Sequence, residues 1–197
     1  MDDEQQAAWM IRTDADCDLT NSLDHCLMTL ALAQGDLRNW KWCVTAAYSA
    51  AQTAMVMVLD AQGEWKHLKP NHREKLLEFL DKIDTEAAVP HPQTELNSFQ
   101  YLVCNCAPLL PGGGVTHEME RGLNDLIYFR DHWAHFGVTS LGISVASAKR
   151  AVQAALDLIA ELPLPSPRHG EHHHHEHRRK VTLAALRELL RPDAGGT

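Results

Sequence analysis

No uninterrupted apolar run in the sequence reaches the roughly 18 residues that a helix needs to cross a bilayer, so no membrane span is expected. Positive charge is also scarce. Lysine and arginine number 18 against 26 aspartates and glutamates, for a formal net charge of −8. That balance excludes a protein that coats nucleic acid through a broadly basic surface. The opening Met1-Asp2-Asp3-Glu4 is the reverse of the basic start of a secretory signal, and export is not expected. The five cysteines are too few and odd in number for a closed disulfide framework. Cys17, Cys26 and Cys43 fall within or beside helical patterns, which fits reduced thiols in a cytoplasmic protein. Pro111-Gly112-Gly113-Gly114 lacks the Gly-Lys-Ser/Thr ending of a phosphate-binding loop. Nothing supports a Ser/His/Asp triad, a His-Glu-x-x-His zinc site, a dinucleotide fingerprint or an internal repeat.

What is present is helical periodicity in a chain of 197 residues, 45% hydrophobic and 22% charged, enough for one domain with its own core. The acidic excess is concentrated at the start, in Asp2, Asp3, Glu4, Asp14, Asp16, Asp18 and Asp24 against Arg12 alone. The remainder is nearly neutral, which leaves room for a local basic cleft. Residues 1–19 show no sustained period and are expected to form an acidic arm. A first helix is expected from an Asn21 cap to Gly35, burying Leu23, Cys26, Leu27, Leu30 and Ala31. Asp36 caps a longer helix that buries Trp40, Cys43, Val44, Ala47, Ala51, Ala54, Met55 and Val58. The short connection makes the two an antiparallel hairpin.

A shorter helix is expected over Asn71–Thr85, then a break at Pro90 and Pro92, then a helix capped by Thr94 and stopped by Pro108. Thr116 opens a long helix to Gly137, and Ser147 caps the last core helix, with Ala148, Ala151, Val152, Ala155, Leu156, Ile159 and Leu162 inward. Beyond Pro163 the composition changes. Arg168 to Lys180 holds six histidines and is expected to be disordered without a ligand, followed by a ten-residue amphipathic helix with Leu183, Leu186 and Leu190 on one side. A helix so short is not stable alone and must dock on its own bundle, a sister subunit or an inhibitory protein partner. The expected fold is all-α: an up-and-down antiparallel helical bundle over 20–163, with a flexible His-rich tail and a short terminal helix over 164–197.

Arg130-Asp131-His132-Trp133-Ala134-His135 ends the long helix. Met119, Leu123, Leu126, Arg130 and Trp133 fall along one stripe at steps of four, three, four and three, so the pattern places Arg130 at a core position. A guanidinium there must find an acid, carbonyls or an open cleft. His135 lies five residues on, rotated roughly 140° on an ideal helix. The two side chains therefore need the helix end, or a second chain, to meet.

With Arg130, polar Asp131 and His135 after a four-residue spacer, the chain resembles the HEPN superfamily of small helical bundles, across about residues 20–162. The context is similar too: an up-and-down bundle with the motif late in a long helix before a final core helix. The resemblance implies a metal-independent endoribonuclease of toxin or defence type, working in a homodimer cleft with no cofactor required. Within it, His135 is the general acid or base, Arg130 binds the phosphate and Asp131 orients a side chain or holds the cleft. The alternative is a non-catalytic module, with Arg130 in an ion pair inside the bundle and His135 an ordinary histidine at a helix C-terminus. The same spelling recurs at Arg168 to His173, inside the histidine tract, where it has no helical context.

That tract supplies a separate expectation. His172, His173, His174, His175 and His177, beside Glu171 and Glu176, are candidate ligands for a divalent transition metal. His132 and His135 lack a third ligand, and Cys104-Asn105-Cys106 is too isolated for a zinc site. Trp40 and Trp42 flank Lys41, and one of the two is expected in the core.

Overall fold

A computed structural model describes residues 14–83, 90, 92–134, 142–166 and 172–191. The Asp14 carboxylate accepts from the Cys17 backbone N–H at 2.8 Å and starts helix α1, Ala15–Ala33. The helix thus begins six residues before Asn21. Asp16 and Asp18, expected in an arm, lie in its first turn, where the helix dipole favours negative charge. Leu19, Leu23, Cys26, Leu30 and Ala33 form its buried stripe, while Ala31 faces out.

Asp36 accepts from the Arg38 backbone N–H and opens a single 3-10 turn, Leu37–Asn39, that leads into α2, Trp40–Ala61. Every α2 residue expected in the core is there, joined by Ala46, Tyr48, Ala50, Met57 and Leu59. By length and composition the segment Leu37–Ala61 could cross a membrane, with a mean hydropathy of 1.3 over its best 18-residue window. Two thirds of that window (67%) is buried within the bundle, so its apolarity is accounted for by its central place.

Helix α3, Pro70–Ile83, starts with proline at a first-turn position where the missing N–H costs nothing. It lies at the periphery: Leu76 is buried, while Leu77, Leu80 and Ile83 are exposed. An isolated antiparallel bridge, Leu68 to Leu96, ties its approach to the chain that follows, and Asn97 Nδ2 donates to the Leu68 carbonyl at 2.6 Å. Leu96 therefore belongs to this bridge, and Ser98 rather than Thr94 caps α4, Phe99–Cys106. The loop after Leu110 needs the left-handed region at Gly112 (φ 87°) and Gly113 (φ 74°).

Helix α5 runs His117–Ala134 and is capped by Thr116 as expected, and α6 runs Val145–Glu161. The α6 cap is Ser144, three residues before Ser147, whose N–H it accepts at 3.1 Å. Gly122 is where α5 and α6 cross. A Cβ there would lie 2.4 Å from Ala154 Cβ and 2.9 Å from the Arg150 carbonyl oxygen, so only glycine fits this approach. Arg150 binds Asp125 beside the crossing with bonds of 2.9 and 2.6 Å.

The C-terminal region departs from expectation. The tract expected to be flexible is helical from its first histidine, and α7 runs His172–Leu190 without interruption. Leu186 and Leu190 are buried and Leu183 is packed against the core, so the apolar face is spent on the chain's own bundle. Polar contacts extend the same seam upstream. Arg179, 4% exposed at its side chain, pairs with Asp16; Arg178 pairs with Asp24 at 2.5 Å; Thr182 donates to Asp24 at 2.9 Å. Arg187 reaches Asp157 of α6 at 2.8 Å.

These contacts fix the topology. Helices α2 and α6 run parallel through the centre, α5 lies antiparallel to both, α1 is antiparallel to α2, and α7 runs parallel to α1 across the α1–α6 side. The chain is an all-α bundle, with seven α-helices and no strand among the described residues.

Candidate functional site

The stripe on α5 is phased differently from the expected one. Both three-residue and four-residue steps are open from Leu126, and the apolar option wins: Phe129 is buried and Arg130 is displaced to its flank. Arg130 is 40% exposed at its side chain. Its guanidinium carbon lies 4.7 Å above the centroid of the Tyr48 ring on α2, and Nη1 donates to Asp131 at 2.8 Å. Tyr48 is in turn stacked on Phe99, with centroids 4.5 Å apart and planes at 29°. The column Phe99–Tyr48–Arg130 carries a cation from the core to the surface at the end of α5. Burial pushes the Tyr48 phenol up, the Arg130 charge pulls it down and Asp131 pushes it up again.

Asp131 occupies one of the five guanidinium donors, and Arg130 makes no other hydrogen bond among the described residues. Both partners are over a third exposed, so the pair itself is worth about 0.2–1 kcal/mol, and the ring contact about 0.5–1 kcal/mol. Neither is strong enough to require an arginine for stability. His132 is committed elsewhere: its Nδ1 lies 2.8 Å from the Tyr128 carbonyl oxygen and its ring is 3.9 Å from the Tyr128 ring. His135 lies outside the described residues, so the geometry places Arg130 and Asp131 together and gives no position for the third member.

Trp133, one turn beyond Arg130, lines a cleft of about 340 Å³ between the starts of α2 and α6 and the end of α5. Trp40, Arg38, Lys41 and Ser144 contribute to the same walls. Arg38 is held by a bidentate contact to Asp36, at 3.0 Å from Nε and 2.8 Å from Nη2, and this keeps the Asp36 carboxyl below its usual range. As expected of the tryptophan pair, Trp40 is core, while Trp42 is half-exposed with Lys41 Nζ 5.1 Å from its ring. The cleft of this net-acidic protein therefore brings Arg38 and Lys41 together with Trp40 and Trp133, with Arg130 one turn before Trp133 and both arginines paired to carboxylates.

The tract residues separate by face. His174 and His177 are exposed, and His175 is half-buried, with Nε2 3.8 Å from Cys17 Sγ on α1. His172 and His173 lie in the helical backbone of α7, and their side chains are outside the described residues. Among the described residues no three histidine, cysteine or acidic side chains gather into a ready metal cage. Cys106 is buried and its thiol is pushed up to about 12, and Cys104 is exposed. Sequence reasoning missed Tyr48 as the partner of Arg130, and it missed the Cys17–His175 pair. An aromatic two turns into α2 was the only signal for the first. The second joins residues 158 positions apart, and no local pattern connects them. No known family model, no curated protein and no solved structure matches this chain.

Proposed function

We propose that the chain is a HEPN-like endoribonuclease that needs no metal and acts in a homodimer cleft. The observation that supports this reading is the placement of Arg130: part-exposed, over the Tyr48 ring and bonded to Asp131, with donors left over and a cleft lined by Trp40, Lys41 and Trp133 one turn away. An arginine oriented by an aromatic face and one carboxylate is suited to bidentate binding of a phosphate. In the proposed reaction Arg130 binds the scissile phosphate and stabilises charge on its oxygens. The ribose 2′-oxygen forms a bond to phosphorus, the bond to the 5′-oxygen breaks, and a 2′,3′-cyclic phosphate and a 5′-hydroxyl are released. His135 takes the 2′ proton or returns one to the leaving oxygen. Asp131 keeps the guanidinium in place.

The test is cleavage of a mixed-sequence RNA by the full chain in the presence of EDTA, with product ends analysed for cyclic phosphate. Arg130→Ala and His135→Ala should each abolish cleavage with unchanged circular dichroism. Cleavage that persists in both variants would overturn the proposal.

The second reading, a non-catalytic interaction module, is favoured by one fact: Arg130 already has an ion-pair partner in Asp131 and a ring contact with Tyr48 within the chain. It predicts that Arg130→Ala lowers stability by about 1 kcal/mol and that the wild-type chain leaves RNA intact.

A further inference from the structure

Past the end of α6 the chain turns through Leu162-Pro163-Leu164-Pro165 and leaves a groove of about 330 Å³ against the first half of α7. Ile159, Leu162 and Leu164 form one wall, and Leu183 with Arg179 and Lys180 forms the other. The ribonuclease reading makes no use of this groove, since the Trp133 cleft lies at the opposite end of α6. Apolar burial on α7 is concentrated in Leu186 and Leu190. The turns beside the groove are held chiefly by polar pairs, Arg179 with Asp16, Arg178 with Asp24 and Thr182 with Asp24.

Three observations point to an occupant within the same chain. The first is position. Arg179 lines the groove and is bonded to Asp16 in the first turn of α1, so the segment that enters α1 at Asp14 begins beside it. The second is reach. Trp9 stands five residues before Asp14, and five extended residues span up to about 17 Å. Arg179 and Leu183 are one helical turn apart, about 6 Å, so the groove falls within that span. The third is chemistry. Ala7-Ala8-Trp9-Met10-Ile11 is an apolar run that the buried stripe of α1 does not include. Asp2-Asp3-Glu4 ahead of it complements Arg178 and Lys180, whose side chains are 50% and 72% exposed.

We infer that Trp9, with Met10 and Ile11, docks in this groove and fastens the first half of α7 to the end of α6. An indole buries about 150–250 Å² when it is enclosed, and the unbranched methionine adapts to an irregular wall. The tether holds the segment at an effective concentration of roughly millimolar order. A contact too weak to retain a free peptide is therefore enough to retain this one. The docked segment supplies apolar burial to the half of the α7 seam that has least of it.

The test uses the full chain labelled with 5-fluorotryptophan and followed by fluorine NMR, with Trp9→Phe identifying the Trp9 signal among the five. A soluble gadolinium chelate should broaden that signal less than the signal of half-exposed Trp42. Ala160→Glu puts a charge at an exposed position on the groove wall. It should remove the protection and move the Trp9 signal toward that of a free indole, while the other four stay in place and circular dichroism is unchanged. Leu164→Ala should weaken the protection in the same direction, and Trp9→Ala should lower the melting temperature. None of these readouts involves RNA cleavage, which separates this contact from the ribonuclease reading. A Trp9 signal as open to gadolinium as that of Trp42 overturns the inference. Protection that survives Ala160→Glu also overturns it, because the indole then lies elsewhere. Protection that falls on dilution, with a dimer in sedimentation, assigns the groove to the segment of a second copy and overturns the contact within one chain.

Discussion

The Arg130 guanidinium lies 4.7 Å above the Tyr48 ring, and this face-on contact joins the end of α5 to the middle of α2. Tyr48→Leu keeps an apolar group in the same slot and removes the ring. A stability loss of about 1–2 kcal/mol is expected from lost packing and the lost cation contact together. Tyr48→Phe should preserve both. Thermal melts of the two variants check this, and equal losses would mean that the phenol oxygen, not the ring, matters.

The α5–α6 crossing gives a sharper prediction. Gly122→Ala puts a methyl group 2.4 Å from Ala154 Cβ, inside any permitted contact. The helices must part, which costs about 1–3 kcal/mol or more. Ala154→Gly in the same chain should restore part of the loss, though the Arg150 carbonyl at 2.9 Å keeps the rescue incomplete. Chemical denaturation of the single and double variants measures both numbers.

His67 makes the stability of the bundle depend on pH. It is buried, its Nδ1 has no hydrogen-bond partner among the described residues, and burial lowers its pKa, with the Asp60 charge opposing. The folded state therefore holds the neutral imidazole more tightly than the unfolded chain does. This contribution is fully present above the unfolded value near 6.5 and is lost as pH falls through the folded value. Melting temperature should decline below about pH 6.5, and His67→Leu should flatten that part of the curve. A parallel decline in the variant would assign the effect to other groups.

Thiol reactivity should divide the cysteines. Cys26 and Cys43 are fully buried with sulfurs 3.7 Å apart across α1 and α2, and mutual hydrogen bonding with burial holds the Cys26 thiol well above its ordinary value. Cys106 is held up by burial alone. In native protein an aromatic disulfide reagent should modify Cys104 within minutes, Cys17 more slowly, and the other three only after denaturation. Rapid labelling of Cys26 or Cys43 would show that the α1–α2 hairpin opens readily.

Hydrophobic spacing made the α1–α2 hairpin, α5 and α6 legible in the sequence, because each buries a continuous apolar stripe. It failed where a seam is polar. Asp16–Arg179 and Asp24–Arg178 carry the upper half of α7, and their partners sit on a helix at the far end of the chain, so no local period reveals them. The start of α1 was lost for the same reason, since its first turn is held by an acidic cap rather than by leucines. At Arg130 the pattern was ambiguous by one position. Leu126 is followed by Phe129 at three and Arg130 at four, and only packing decides between them. The spelling of the candidate motif was visible from the outset, whereas its support by Tyr48 required the fold.

The parallel docking of α7 on α1 also sets the order in which the molecule can be completed. Asp16 and Arg179 are 163 residues apart, so the flank of α1 that receives α7 waits through most of synthesis with its carboxylates solvated and the neighbouring α6 groove open. Closing so distant a contact carries a large loop-entropy cost that the other helices reduce by folding first. The last helix therefore acts as the keystone of an arch: it is set after the rest stands, and it joins the six helices before it into one closed body.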